Sequence, residues 1–140
     1  MGYLPGIIVA DPSSEANEAN EASEGRILVI EDEALVRKAL GRILRSNGFA
    51  PQFAESLESA RAALHQGPPF RAAIADVSVL GVDVARAIGE LRKIQLELPV
   101  LLATGGPEPE LSEQVGACTF LAKPFTPRTL MAQLDAVFAP

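Results

Sequence analysis

The 140-residue sequence predicts an α/β fold, a doubly wound five-stranded parallel sheet with helices on both faces. Three observations lead there. Five short apolar runs recur along the chain, segments with helical apolar spacing separate them, and each central run ends on a polar side chain. Strands that alternate with helices of about ten residues require crossover connections, and those connections make the sheet parallel.

The elements follow in order. Ile27–Ile30 is a continuous apolar run, suited to a strand buried on both faces. Glu33–Asn47 carries Leu35, Val36, Ala39, Leu40, Ile43 and Leu44 at helical spacing, and Gly48 stands where a helix-ending glycine belongs. Ala50–Phe53 reads as a short strand. Ser56–Gln66 reads as a helix capped by Ser56 and stopped by Gly67 and two prolines. Ala72–Ala75 is the third strand, ending at Asp76. Asp83–Lys93 places Val84, Ile88 and Leu91 on one helical face, with Asp83 as its cap. Val100–Ala103 is a strand that ends at Thr104. A short helix is expected over Glu108–Val115, and a strand over Cys118–Ala122. Thr126 then caps a last helix with Pro127 at its first position and Leu130, Leu134, Val137 and Phe138 facing inward.

Composition sets the limits. Hydrophobic residues make up 48% and charged residues 21%, the balance of a globular chain with one core. No apolar run approaches the roughly 20 residues of a membrane span, and the first nine residues lack the basic region of a secretory signal. Cys118 is the sole cysteine, so no disulfide can form within the chain, and a cytoplasmic location fits best. The net charge of −6 is unevenly spread. Residues 1–25 hold Asp11, Glu15, Glu18, Glu21 and Glu24 with no basic residue, whereas the rest is nearly neutral. Residues 1–25 therefore read as a flexible N-terminal segment and acidic linker, and the domain as 26–140. Nothing in the charge favours nucleic acid, and no Gly-rich nucleotide loop is present.

In doubly wound sheets the chemistry sits beyond the carboxyl ends of the strands. There the sequence places Glu31-Asp32-Glu33, Asp76, Thr104 and Lys123-Pro124. Two carboxylates about 4 Å apart repel by roughly 4 kcal/mol at an effective dielectric of 20, so such a group needs a cation or raised pKa values. Mg²⁺, a hard ion with octahedral oxygen ligands, suits several carboxylates plus waters. Lys123 adds a positive charge, and Asp76 is a suitable nucleophile for a phosphoryl group.

At these residues the chain resembles the response-regulator receiver family of two-component signalling, over essentially all of 26–138. Ile27-Leu-Val-Ile-Glu-Asp-Glu33 is similar to the family's first strand and acidic pair. Asp76 follows Asp32 by 44 residues, Asp83 follows Asp76 by seven, and Thr104 and Lys123-Pro-Phe125 fall where the switch threonine and Lys-Pro-Phe signature belong. The resemblance implies a flavodoxin-like (βα)5 fold, with Mg²⁺ held by Glu31, Asp32, Asp76 and the backbone carbonyl of Ser78. It implies phosphorylation of Asp76 by a phosphohistidine on a histidine kinase or phosphotransfer protein. Lys123 and Thr104 would contact the phosphoryl oxygens, Thr104 and Phe120 would act as switch residues, and Lys123-Pro124 would be cis. Slow autodephosphorylation and a homodimer also fit it, as do two origins, a stand-alone receiver or the C-terminal receiver of a hybrid histidine kinase.

The chain departs from the family pattern in a stretch between Thr104 and Lys123 that is a few residues short, and at three single positions. Glu31 stands where Asp is commoner, Leu80 where proline is usual, and Val84 where glycine is usual. The last two favour an alternative reading, a degenerate receiver that acts as an unphosphorylated interaction module. A flavodoxin-like cofactor binder needs a phosphate-cradling loop after strand one, where Glu31-Asp32-Glu33 would repel phosphate. A Mg²⁺-dependent aspartyl phosphatase usually has a second acid where Ser78 stands. Taken singly, Asp76 could simply cap the turn after its strand. Glu33 reads as a helix-start acid, Cys118 as a buried small apolar residue, and His65 as a surface histidine.

Overall fold

The computed structural model describes residues 25–109 and 118–138. The expected acidic linker and most of the expected 108–115 helix lie outside the described residues, and Glu108 and Pro109 carry no helix. Five parallel strands form one sheet in the order β2-β1-β3-β4-β5. They are β1 (Arg26–Ile30), β2 (Ala50–Ala54), β3 (Ala72–Asp76), β4 (Val100–Thr104) and β5 (Cys118–Ala122). The described helices are α1 (Ala34–Ser46), α2 (Leu57–Leu64), the single turn α3 (Val77–Leu80), α4 (Val84–Ile94) and α5 (Pro127–Phe138).

Side chains alternate along each strand, so the sheet divides the core in two. Leu28, Ile30, Ala73, Ala75, Val100 and Leu102 face α2, α3 and α4. Ile27, Val29, Ala72, Ile74, Leu101 and Leu121 face α1 and α5. β3 and β4 are buried along their whole length, which explains their unbroken apolar sequences. β2 tolerates Pro51 because it is an edge strand.

The helix ends match their sequence signals. Ser56 and Ser59 form a reciprocal capping box at α2, Asp83 accepts the Arg86 N–H at α4, and Thr126 accepts the Thr129 N–H at α5. Gly48 has φ +86°, a left-handed conformation that its lack of a Cβ allows. The Lys123-Pro124 bond is cis.

Some expectations change. The α3 turn after Asp76 is absent from the sequence reading. Leu80, which replaces the family's usual proline, is its last residue and is buried against the α2/α4 side of the core. Val84 is buried there too, so both departures supply apolar packing. Cys118 is half-buried, not fully buried, because β5 is an edge strand.

Candidate functional site

The chain leaves β1 for β2 on one side and then returns to β3 on the other. The carboxyl ends of β1 and β3 therefore border the switch-point crevice. Ile30 pairs with Ala75, which brings the next residues, Glu31 and Asp76, to the same level. Asp76 pairs with Ala103 and Thr104 with Ala122, so Thr104 and Lys123 each stand one step further out. Parallel register alone thus gathers these residues, although 92 positions separate Glu31 from Lys123.

One carboxylate oxygen from each of Glu31, Asp32 and Asp76 lies within 4.8 Å of the others. Glu31 and Asp76 are buried and Asp32 is exposed. Lys123 Nζ lies 3.1 Å from Glu31 Oε1 and 3.5 Å from Asp76 Oδ1. Burial works to lower the Lys123 pKa. Its hydrogen bond to Glu31 and the charges of Asp76 and Glu31 outweigh that and hold it above the ordinary lysine value. One ammonium faces three carboxylates, so an excess of negative charge remains. Hard oxygen donors, clustered at this spacing and open to solvent on the Asp32 side, fit a divalent cation of the Mg²⁺ type.

Asp76 stands at the start of α3, yet its side chain makes no capping hydrogen bond. It turns into the crevice, which removes the plain capping reading. Its Oδ2 accepts a 2.6 Å hydrogen bond from the Ser78 hydroxyl. The second oxygen of Glu31 accepts the Glu33 N–H at 3.2 Å. Arg37 braces the loop by donating to the Glu31 carbonyl at 3.0 Å and pairing with Glu55 at 3.1 Å.

Thr104 is buried, and its hydroxyl engages Gly106, accepting from the N–H at 3.1 Å and donating to the carbonyl at 3.2 Å. In this state it is committed to its own turn. Phe120 is half-buried and packs on the α2/α4 side of the core. Glu33 lies outside the carboxylate cluster, and His65 is exposed at the end of α2. Two contributors escaped the sequence reading, the Ser78 hydroxyl and Arg37. A serine two residues beyond a site aspartate is a usable signal for the first, since Ser, Thr, Asn and Asp side chains commonly bond near neighbours. No local pattern announces the second.

An acid-lined crevice with one lysine, at the switch point of a (βα)5 sheet, defines a class of proteins. Residues 27–135 match the response regulator receiver domain, and the chain belongs to that family of two-component signalling modules. It is 33% identical over 117 residues to the phosphate regulon transcriptional regulatory protein PhoB of Escherichia coli (strain K12), covering 80% of this chain and 51% of PhoB. The chain thus spans about half the length of that curated relative. Among solved structures it is similar to the Vibrio cholerae chemotaxis protein CheY4, with a TM-score of 0.70 and 26% identity, over 81% of this chain and 98% of the other. It also shares its fold with the receiver domain of the sensor histidine kinase PA1611 from Pseudomonas aeruginosa PAO1, with a TM-score of 0.69 and 23% identity, over 81% and 97% of the two chains. Among the described residues, no helix is long and apolar enough to cross a membrane.

Proposed function

We propose that Asp76 accepts a phosphoryl group from a phosphohistidine on a histidine kinase or phosphotransfer protein and so switches protein–protein contacts. The observation that carries this reading is the posture of Asp76. It is 8% exposed, declines the cap at the start of α3, and presents Oδ1 to Lys123 at 3.5 Å. A buried carboxylate that leaves the helix cap unmade and faces an ammonium suits a nucleophile that will meet an anion.

An oxygen of Asp76 attacks phosphorus as the donor's P–N bond breaks, and the leaving imidazole keeps that electron pair. Asp32 and Asp76, with Glu31 and the Ser78 carbonyl, are the residues that would hold Mg²⁺. The ion supplies charge neutralisation at the phosphoryl oxygens. A magnesium ion is coordinated in the active site cleft of the PA1611 receiver, which shares this fold. Lys123, already shared between Glu31 and Asp76, shifts toward the new phosphoryl group and adds a second positive charge. The Thr104 hydroxyl exchanges its Gly106 partner for a phosphoryl oxygen, and with Phe120 it reports the change toward β5. The half-buried position of Phe120 leaves it room to repack.

The test is phosphotransfer from a radiolabelled histidine phosphotransfer protein. Label is expected on the wild-type chain and not on Asp76→Asn. Absence of label on both, with several donors, would favour the interaction-module reading instead.

A further inference from the structure

We infer that Ser78 is a positioning residue whose hydroxyl biases Asp76 toward its free, unphosphorylated carboxylate. The inference rests on the proposed phosphoacceptor role of Asp76. Its basis is the 2.6 Å bond from Ser78 Oγ to Asp76 Oδ2, in the crevice where Lys123 approaches the other oxygen. The backbone donors at the start of α3 do not hold this side chain, so the hydroxyl does what a helix cap would otherwise do.

The bias follows from the charge of the acceptor. A hydroxyl donating to an ionised carboxylate makes a bond roughly twice as strong as one to a neutral acceptor. When Asp76 becomes an acyl phosphate, one oxygen forms the P–O bond and the other becomes an uncharged carbonyl. The electron pair of the broken P–N bond leaves with the imidazole, or that of the broken P–O bond leaves with acetate when acetyl phosphate is the donor. A cation on Asp76 also withdraws the negative charge that the hydroxyl was holding. In both cases the Ser78 bond weakens, and by linkage that bond opposes the change. Removing the hydroxyl therefore favours the cation-bound and phosphorylated forms together. A role limited to orienting the hydrolytic water would alter only the decay of the phosphorylated form. A hydrogen bond that supports the ligand geometry would act in the opposite direction.

Calorimetric titration with Mg²⁺ of the full chain, of Ser78→Ala and of Ser78→Thr separates these cases. Ser78 is exposed, and alanine suits a helical turn, so both variants should keep the wild-type circular dichroism. Ser78→Ala should bind Mg²⁺ about fivefold more tightly, equivalent to about 1 kcal/mol. Ser78→Thr, which keeps the hydroxyl, should match the wild type. Unchanged or weaker binding by Ser78→Ala overturns the inference, as does a threonine variant that binds as tightly as alanine. If the wild-type chain and both variants bind no Mg²⁺, the inference fails together with the cation site itself. Equal binding by all three removes the bias alone.

Discussion

Lys123 Nζ sits closer to Glu31 Oε1, at 3.1 Å, than to Asp76 Oδ1, at 3.5 Å. The extra methylene of glutamate lets this buried acid reach across the crevice. Glu31 is only 2% exposed, and the Glu33 N–H holds its other oxygen. The ammonium is thereby parked beside Asp76 without being fully committed to it. The folded-state pKa of Lys123 lies above its unfolded value of 10.5. Its stabilising contribution is therefore complete below pH 10.5 and is lost as the pH rises through the folded value. Urea denaturation should show a stability gap between the wild type and Lys123→Met that narrows in this alkaline window. A gap that stays constant through it would show that the ion pair contributes nothing.

Leu80 is 5% exposed and packs in the α2/α4 side of the core. Leu80→Ala should cost about 2–3 kcal/mol through lost burial and the cavity left behind. Chemical denaturation measures this directly. A loss of less than about 0.5 kcal/mol, the usual size of a surface change, would mean that the α3 turn packs loosely.

The Ser56–Ser59 capping box begins α2, a helix of only eight residues. So short a helix depends on its ends and its buried face. Ser56→Ala should destabilise the protein by about 1 kcal/mol, read as a lower urea midpoint with an unchanged slope. Equal midpoints would assign α2 to tertiary packing alone.

Burial pushes the Cys118 thiol up to about 11, against a smaller opposing effect from Arg92. Alkylation of the native protein should accordingly rise with an apparent thiol pKa of about 11, and with the ordinary value of 9.0 after unfolding. Rapid labelling of the native chain near neutral pH would contradict the half-buried placement of β5.

Much of the fold was legible because its central strands are buried on both faces. Ile27–Ile30 and Ala72–Ala75 have no polar residue to interrupt them, and Ser56, Gly48 and Thr126 mark helix ends by local chemistry. The strands run one residue further than their apolar runs, to Asp76 and Thr104, because the sheet register satisfies those backbones whatever side chain they carry. The α3 turn was not legible. Val77-Ser-Val-Leu80 has β-branched residues with low helix preference, and burial of Leu80 decides the matter.

The candidate site was legible as a set of residues, because strand ends in a parallel sheet converge by construction. Its pairings were not. The preference of Lys123 for Glu31 over Asp76 depends on side-chain length across 92 residues of sequence. The commitment of the Thr104 hydroxyl to Gly106 and the Ser78 bond to Asp76 depend on the path of each loop after its strand. Such contacts follow from three-dimensional geometry, which apolar periodicity does not encode.

The most direct measurement is the intact mass of the protein after incubation with acetyl phosphate and Mg²⁺, alongside Asp76→Asn and a sample in chelator. Asp76 as the acceptor predicts one added phosphoryl group on the wild-type chain, and none on Asp76→Asn or without the divalent ion. Equal modification of the wild type and Asp76→Asn, or full modification in chelator, would contradict it.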